Sequence, residues 1–137
     1  MKPKAHNKYA RRATAVVETA VMAPLMVTAM FGMMEVGYAF MIKQTVTLAS
    51  REGARAAALP GGTTTDIQSA VDHAMAGPNL DGYAVTTNLS TMEASETEVW
   101  VEVSIPFNRV SFTGHLMGGG SFNITSRTTM RREGISG

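Results

Sequence analysis

Residues 13–42 read ATAVVETAVMAPLMVTAMFGMMEVGYAFMI, a run with no basic side chain and only two acids, Glu18 and Glu35. The uncharged centre from Thr19 to Met34 is 16 residues long, short of the about 20 apolar residues that cross a roughly 30 Å hydrocarbon layer. With its flanks the run is long enough. As a helix rising about 1.5 Å per residue it separates Glu18 from Glu35 by roughly 25 Å. That places the two carboxylates near opposite interfaces, away from the mid-bilayer where a charge is expensive.

The flanks give this run a direction. Lys2, Lys4, Lys8, Arg11 and Arg12 precede it and no acid does, whereas residues 14–137 carry seven basic and eleven acidic side chains. A basic head before an apolar segment predicts a single pass through the cytoplasmic (inner) membrane, N-terminus inside and C-terminus outside. The basic head is not matched by a basic or aromatic groove further along, which argues against nucleic acid as a partner. There are no cysteines, so disulfide frameworks, thiolate zinc sites and Cys nucleophiles are excluded.

The apolar run admits three readings: an uncleaved transmembrane helix, a secretory signal peptide, or a leader whose hydrophobic part survives cleavage. An ordinary signal peptide has a 7–15-residue apolar region ending at a small-residue cut; this run is longer and has Glu18 near its start. Ala49 and Ala56–Ala58 are the small-residue stretches where signal peptidase would cut. Pro24 removes a backbone donor and crowds the preceding turn, so a kink or local unwinding is expected. Met22, Met26 and Met30 recur every four residues and read as adaptable packing, not as a metal site.

Beyond Glu35 the helix is expected to run to Leu59, where Pro60-Gly61-Gly62 stops it. Ile42, Val46, Ala49, Gly53 and Ala56 or Ala57 share one face, a small-residue seam that lets another helix approach closely. Glu52 and Arg55 are spaced for a helix-surface ion pair. After the Thr63–Thr65 run, Asp66 is the expected N-cap of a short helix carrying Ile67, Ala70, Val71, Ala74 and Met75, ended by Gly77-Pro78. Three alternating runs follow, Tyr83–Leu89, Glu98–Ile105 and Phe122–Met130. The expected fold class is α+β: a long transmembrane helix with an extracytoplasmic extension, then a short helix packed on a small antiparallel three-stranded sheet. The boundaries are a basic cytoplasmic leader 1–13, a helix 14–59, a linker 60–65, and a small head 66–137 with a flexible C-terminus. Trp100 falls on the polar side of its strand, either covered by the Phe107–Phe112 loop or presented as an interface anchor.

No catalytic machinery can be assembled. His6, His73 and His115 are far apart in sequence, Asp72 beside His73 makes no dyad by adjacency, and no Gly-x-Ser-x-Gly elbow is present. Gly118-Gly119-Gly120 lacks the Lys and helix start of a phosphate cradle. No enzyme activity, cofactor, metal or small-molecule substrate is expected.

Several stretches together resemble the TadE-like pseudopilins, minor pilin-like proteins of tight-adherence (Tad, or Flp) pilus systems. They are Arg11–Leu25, with its basic pair, small residues, Glu18 and Pro24; Gly32-Met33-Met34-Glu35-Val36-Gly37; Ala49-Ser50-Arg51-Glu52-Gly53-Ala54-Arg55-Ala56-Ala57; and the closing Met130-Arg131-Arg132-Glu133. The resemblance implies processing by a prepilin peptidase between Ala13 and Thr14, with Glu18 at the fifth mature position. Ala13 stands where such leaders generally carry Gly. It also implies that Glu18 pairs with the N-terminal amine of a neighbouring subunit, relieving a carboxylate in hydrocarbon. Helix association would involve Glu18, Pro24, Glu35, Gly37 and Gly53. The implied partners are the bilayer, the major Flp-type pilin, other minor pilins, the prepilin peptidase and the inner-membrane assembly platform. Two rivals stay open: an unprocessed single-pass scaffold of a secretion complex, and a secreted small binding module.

Overall fold

The computed structural model describes residues 8–92, 96–111 and 122–132. Helix α1 spans Lys8–Ala58, α2 Thr64–Ala76, and the single turn α3 Phe107–Val110; the strands are β1 Ala84–Thr87, β2 Glu98–Pro106 and β3 Asn123–Arg131. The three strands form one antiparallel sheet in the order β1-β2-β3. The expected α+β architecture is what the chain adopts. His6, His115, the Gly118–Gly120 run and Glu133 lie outside the described residues.

Helix α1 is one unbroken element, including at Pro24, so the local unwinding expected there does not occur. Thr28 donates its hydroxyl to the Pro24 carbonyl at 2.8 Å, one turn beyond the Ala20 carbonyl that Pro24 leaves without a backbone donor. Among the described residues the helix is continuous from Lys8, so Arg11, Arg12 and Ala13 are helical. It ends where Pro60 follows and Gly61 takes φ +78°, a conformation that favours glycine.

Only the distal part of α1 is covered. From Arg12 to Met30 every residue is exposed, whereas Glu35, Ile42, Val46, Ala49, Ser50, Gly53, Ala54, Ala57 and Ala58 are buried. This seam is the face read from the 3.6-residue periodicity. It packs on β2 and β3, while α2 packs against α1 and touches β1 only slightly. The distal part of α1 thus shares one core with α2 and the sheet. That core unites Ile42, Val46 and Ala49 with Ile67, Val71 and Met75 of α2, Val99, Val101, Val103 and Ile105 of β2, and Ile124 of β3.

Two local expectations shift. The N-cap of α2 is Thr63, not Asp66: Thr63 accepts from the Asp66 amide, and Asp66 at N3 accepts from the Thr63 amide, a complete capping box. The first strand stops at Thr87 and not at Leu89. Asn88 takes over the ladder with its side chain, accepting from Trp100 N at 2.8 Å and donating to Glu98 O at 3.1 Å.

Candidate functional site

The candidate site is α1 itself, with the end of the head that meets it. Ala13 and Thr14 lie inside the first turns of α1. A peptide bond there must leave its helical hydrogen bonds before a peptidase can grip it, a local opening that helix ends make readily. Glu18 is exposed, one turn further on. Around it Val16, Val17, Val21, Met22, Leu25, Met26 and Met30 are all more than half exposed. Such an uncovered apolar surface is unusual in water and ordinary in lipid.

Glu35 is 3% exposed and lies on the same face as Ile42 and Val46, enclosed on the head side of α1. A carboxylate so placed faces neither lipid nor a neighbouring helix. Gly53 is also taken up internally. A Cβ there would stand 3.0 Å from Val71 Cγ2 and 3.1 Å from Val101 Cγ1, so the close approach permitted by the small residue is made to this chain's own α2 and sheet. Gly37 differs: nothing lies within 4 Å of its would-be Cβ.

The 3.6-residue repeat places Gly37 on the side of α1 opposite the seam, together with Met33, Val36, Phe40, Met41 and Leu48. These five side chains are between 45% and 76% exposed. Beyond the membrane-length segment this exposed face continues along the back of the head, with Phe40, Met41 and Leu48 flanking the exposed Gln44, until Arg51 and Arg55. Arg55 pairs with Glu52 at 2.9 Å, as the spacing predicts.

At the membrane-proximal end of the head, β2 turns into α3 and β3 begins. Lys43 donates to the Thr125 carbonyl and Ser50 meets Thr128, so β3 climbs alongside α1 and its first residues lie lowest. Phe107 stacks on Phe122 with centroids 4.5 Å apart and donates its amide to the Phe122 carbonyl. Beside this pair, Tyr38, Asn79, Leu80, Asp81, Arg109, Val110 and Ser111 line an open recess. Sequence reading passed over Tyr38 and Arg109. The available signal was an aromatic residue at the far edge of an apolar run.

Residues 13–55 match the family model described as TadE-like protein. Over that stretch, less than a third of the chain, the long helix is similar to TadE-like proteins. The match takes in the exposed apolar segment and most of the buried seam, and stops before α2. No curated protein and no solved structure matches the chain. The TadE-like family is associated with Tad pili and is a structural family, not a family of enzymes. Consistent with membrane association, α1 from Arg12 to Ala58 is long and apolar enough to cross a bilayer, with none of its most apolar window buried.

On the head, Asp72 accepts from Tyr83 Oη and from Gln68 Nε2, both at 2.6 Å, and makes no dyad with the exposed His73. Desolvation, then the bond to Asp72, push the Tyr83 hydroxyl up to about 12. Trp100 is half-buried, and Phe112 of the segment expected to cover it lies outside the described residues. The Arg127 guanidinium lies 4.1 Å from the Trp100 ring centroid and is itself held by Glu102 at 3.0 Å, a cation–π contact on the open face of the sheet.

Proposed function

We propose that the chain is a structural minor pilin-like protein that supports biogenesis of a Tad/Flp-type adhesive pilus by lateral association of its helix with other subunits. The observation carrying this reading is the exposed face of α1 beyond Met34, where Val36, Phe40, Met41 and Leu48 flank Gly37 and Gln44 on the side away from the head. A membrane anchor alone needs no such extension, because above the bilayer it would face water. A pilin-like helix that leaves lipid for a bundle of like helices does need it, and Gly37 leaves room for close packing. The head is carried on the opposite face and leaves that surface open.

In this reading the N-terminus is cytoplasmic and the head extracytoplasmic. Cleavage between Ala13 and Thr14 removes the five leading cations and exposes an amine one turn before Glu18. The amine of a neighbouring subunit neutralises Glu18, aided by the positive end of the helix dipole. The partners are the major pilin, other minor pilins, the prepilin peptidase and the assembly platform.

The scaffold reading has one observation in its favour, the helical setting of the Ala13–Thr14 bond. The secreted-module reading is opposed by the core: a cut at Ala49 or at Ala56–Ala58 would strip Ile42 and Val46 from the folded unit. Intact mass of the membrane-extracted protein separates the readings. A start at Thr14 supports the pilin-like protein, a start at Met1 supports the scaffold, and a start beyond residue 39 defeats the anchored reading.

A further inference from the structure

We infer that the membrane-proximal rim of the head docks onto the bilayer that α1 crosses, with Phe122 in the interface and the Arg109 guanidinium on lipid phosphate. The inference rests on α1 spanning a membrane and adds to it a fixed posture of the head.

The level of the rim follows from the helix. With Glu18 at one interface, a hydrocarbon layer of roughly 30 Å ends about 20 residues further on at about 1.5 Å per residue, which is Tyr38. Glu35 would oppose lipid at that depth if its carboxylate faced outward, but it is enclosed on the head side. The apolar edge can therefore rise past it to Tyr38, an aromatic residue of the type that settles at headgroup level.

Four features converge at this height. Tyr38 lines the same recess as Arg109 and Ser111. Phe122, the residue before β3, is 54% exposed and stacks on Phe107 of the turn that carries Arg109. The stack makes a blunt apolar prow beside a cation. Among the described residues no carboxylate lies within ion-pair distance of Arg109. Its side chain is directed across Gly82, whose φ of +74° and missing Cβ leave the passage free; a Cβ there would stand 2.9 Å from Arg109 Cδ. Asp81 on the recess wall favours a zwitterionic or mixed headgroup layer over a dense anionic one. Guanidinium and lipid phosphate form charge-assisted bonds of matching geometry, while exposed aromatic rings gain by entering the interface.

Trp100 is the single tryptophan of the chain, on the outer face of the sheet, so the protein supplies its own control. Full-length protein is reconstituted in phosphatidylcholine/phosphatidylglycerol vesicles whose acyl chains are brominated near the glycerol end. Two reporters are built on Trp100→Phe: Phe122→Trp for the rim and Phe31→Trp for the helix. An exposed alternative, Asn108→Trp, serves if Phe122→Trp does not fold. Docking predicts quenching of the rim reporter and of Phe31→Trp, no quenching of wild-type Trp100, and loss of rim quenching on adding Arg109→Glu. An unquenched rim with a quenched Phe31→Trp overturns docking and leaves the span intact. An unquenched Phe31→Trp overturns the span and docking together. Quenched Trp100, or rim quenching indifferent to Arg109→Glu, overturns the proposed posture.

Discussion

Ser50 Oγ on α1 lies 2.9 Å from Thr128 Oγ1 on β3, a hydroxyl pair inside an otherwise apolar interface. Ser50 is fully buried, donates to the Thr47 carbonyl at 2.9 Å and reaches Ser126 Oγ at 3.3 Å. It bonds the helix to the strand that climbs beside it and fixes the register of one on the other. Ser50→Ala should cost ~1–2 kcal/mol, because it leaves the β3 hydroxyls short of a buried partner. Denaturant titration of the full chain in detergent, followed by Trp100 emission, measures the loss.

Gly53 and Gly37 sit on one helix and should respond in opposite directions. Gly→Ala in a helix gains about 1 kcal/mol of propensity. At Gly53 the new methyl meets Val71 and Val101 at 3.0 and 3.1 Å, and overpacking of this kind costs ~1–3 kcal/mol. Gly53→Val should therefore destabilise the head by ~2–3 kcal/mol, whereas Gly37→Ala should leave head stability unchanged or slightly raised. The same titration compares the two.

The Tyr83–Asp72 bond makes the head sensitive to alkali. Folding raises the Tyr83 hydroxyl from its ordinary 10.0 to about 12, so between those values the folded state holds a proton that the unfolded state has released. The contribution is complete below pH 10 and is lost as pH rises towards 12. Thermal midpoints between pH 9 and about 12 should fall more steeply for the wild type than for Tyr83→Phe.

At the acid end the capping box governs α2. The Thr63 hydroxyl, then its amide, hold the Asp66 carboxyl below its ordinary 3.8. A depressed carboxylate stabilises the fold above its unfolded value, and the contribution disappears as pH falls below 3.8 through the folded value. Thr63→Ala should cost ~1 kcal/mol at neutral pH, the usual cost of a lost N-cap, and should flatten the acid limb of the stability profile.

The proposed function predicts a separation between insertion and assembly. Glu18→Ala should insert in the membrane as the wild type does, since it removes a charge from an exposed apolar stretch. Pilus assembly should fall sharply, because the neighbouring amine loses its carboxylate. Membrane fractionation and surface pilus counts in the same cells read the two; normal piliation would show that Glu18 makes no such pairing.

The long helix, its apolar length, the seam through Ile42, Val46, Ala49 and Gly53, and the alternation of β2 were legible in the sequence because each is a local periodicity. The resemblance to TadE-like proteins was legible for the same reason: three of its four motifs lie on one helix in a fixed order. What covers each face was decided only in three dimensions. Seam spacing shows that Gly53 accepts a close neighbour but not that the neighbour is Val71 of the same chain, a choice made by the turn at Pro60-Gly61-Gly62. The enclosure of Glu35 likewise follows only from the head folding over that side of α1. Ser50, Arg109 and Phe122 carry no local signal, since their partners lie far along the chain and their roles follow from the antiparallel return of β2 and β3 along the helix.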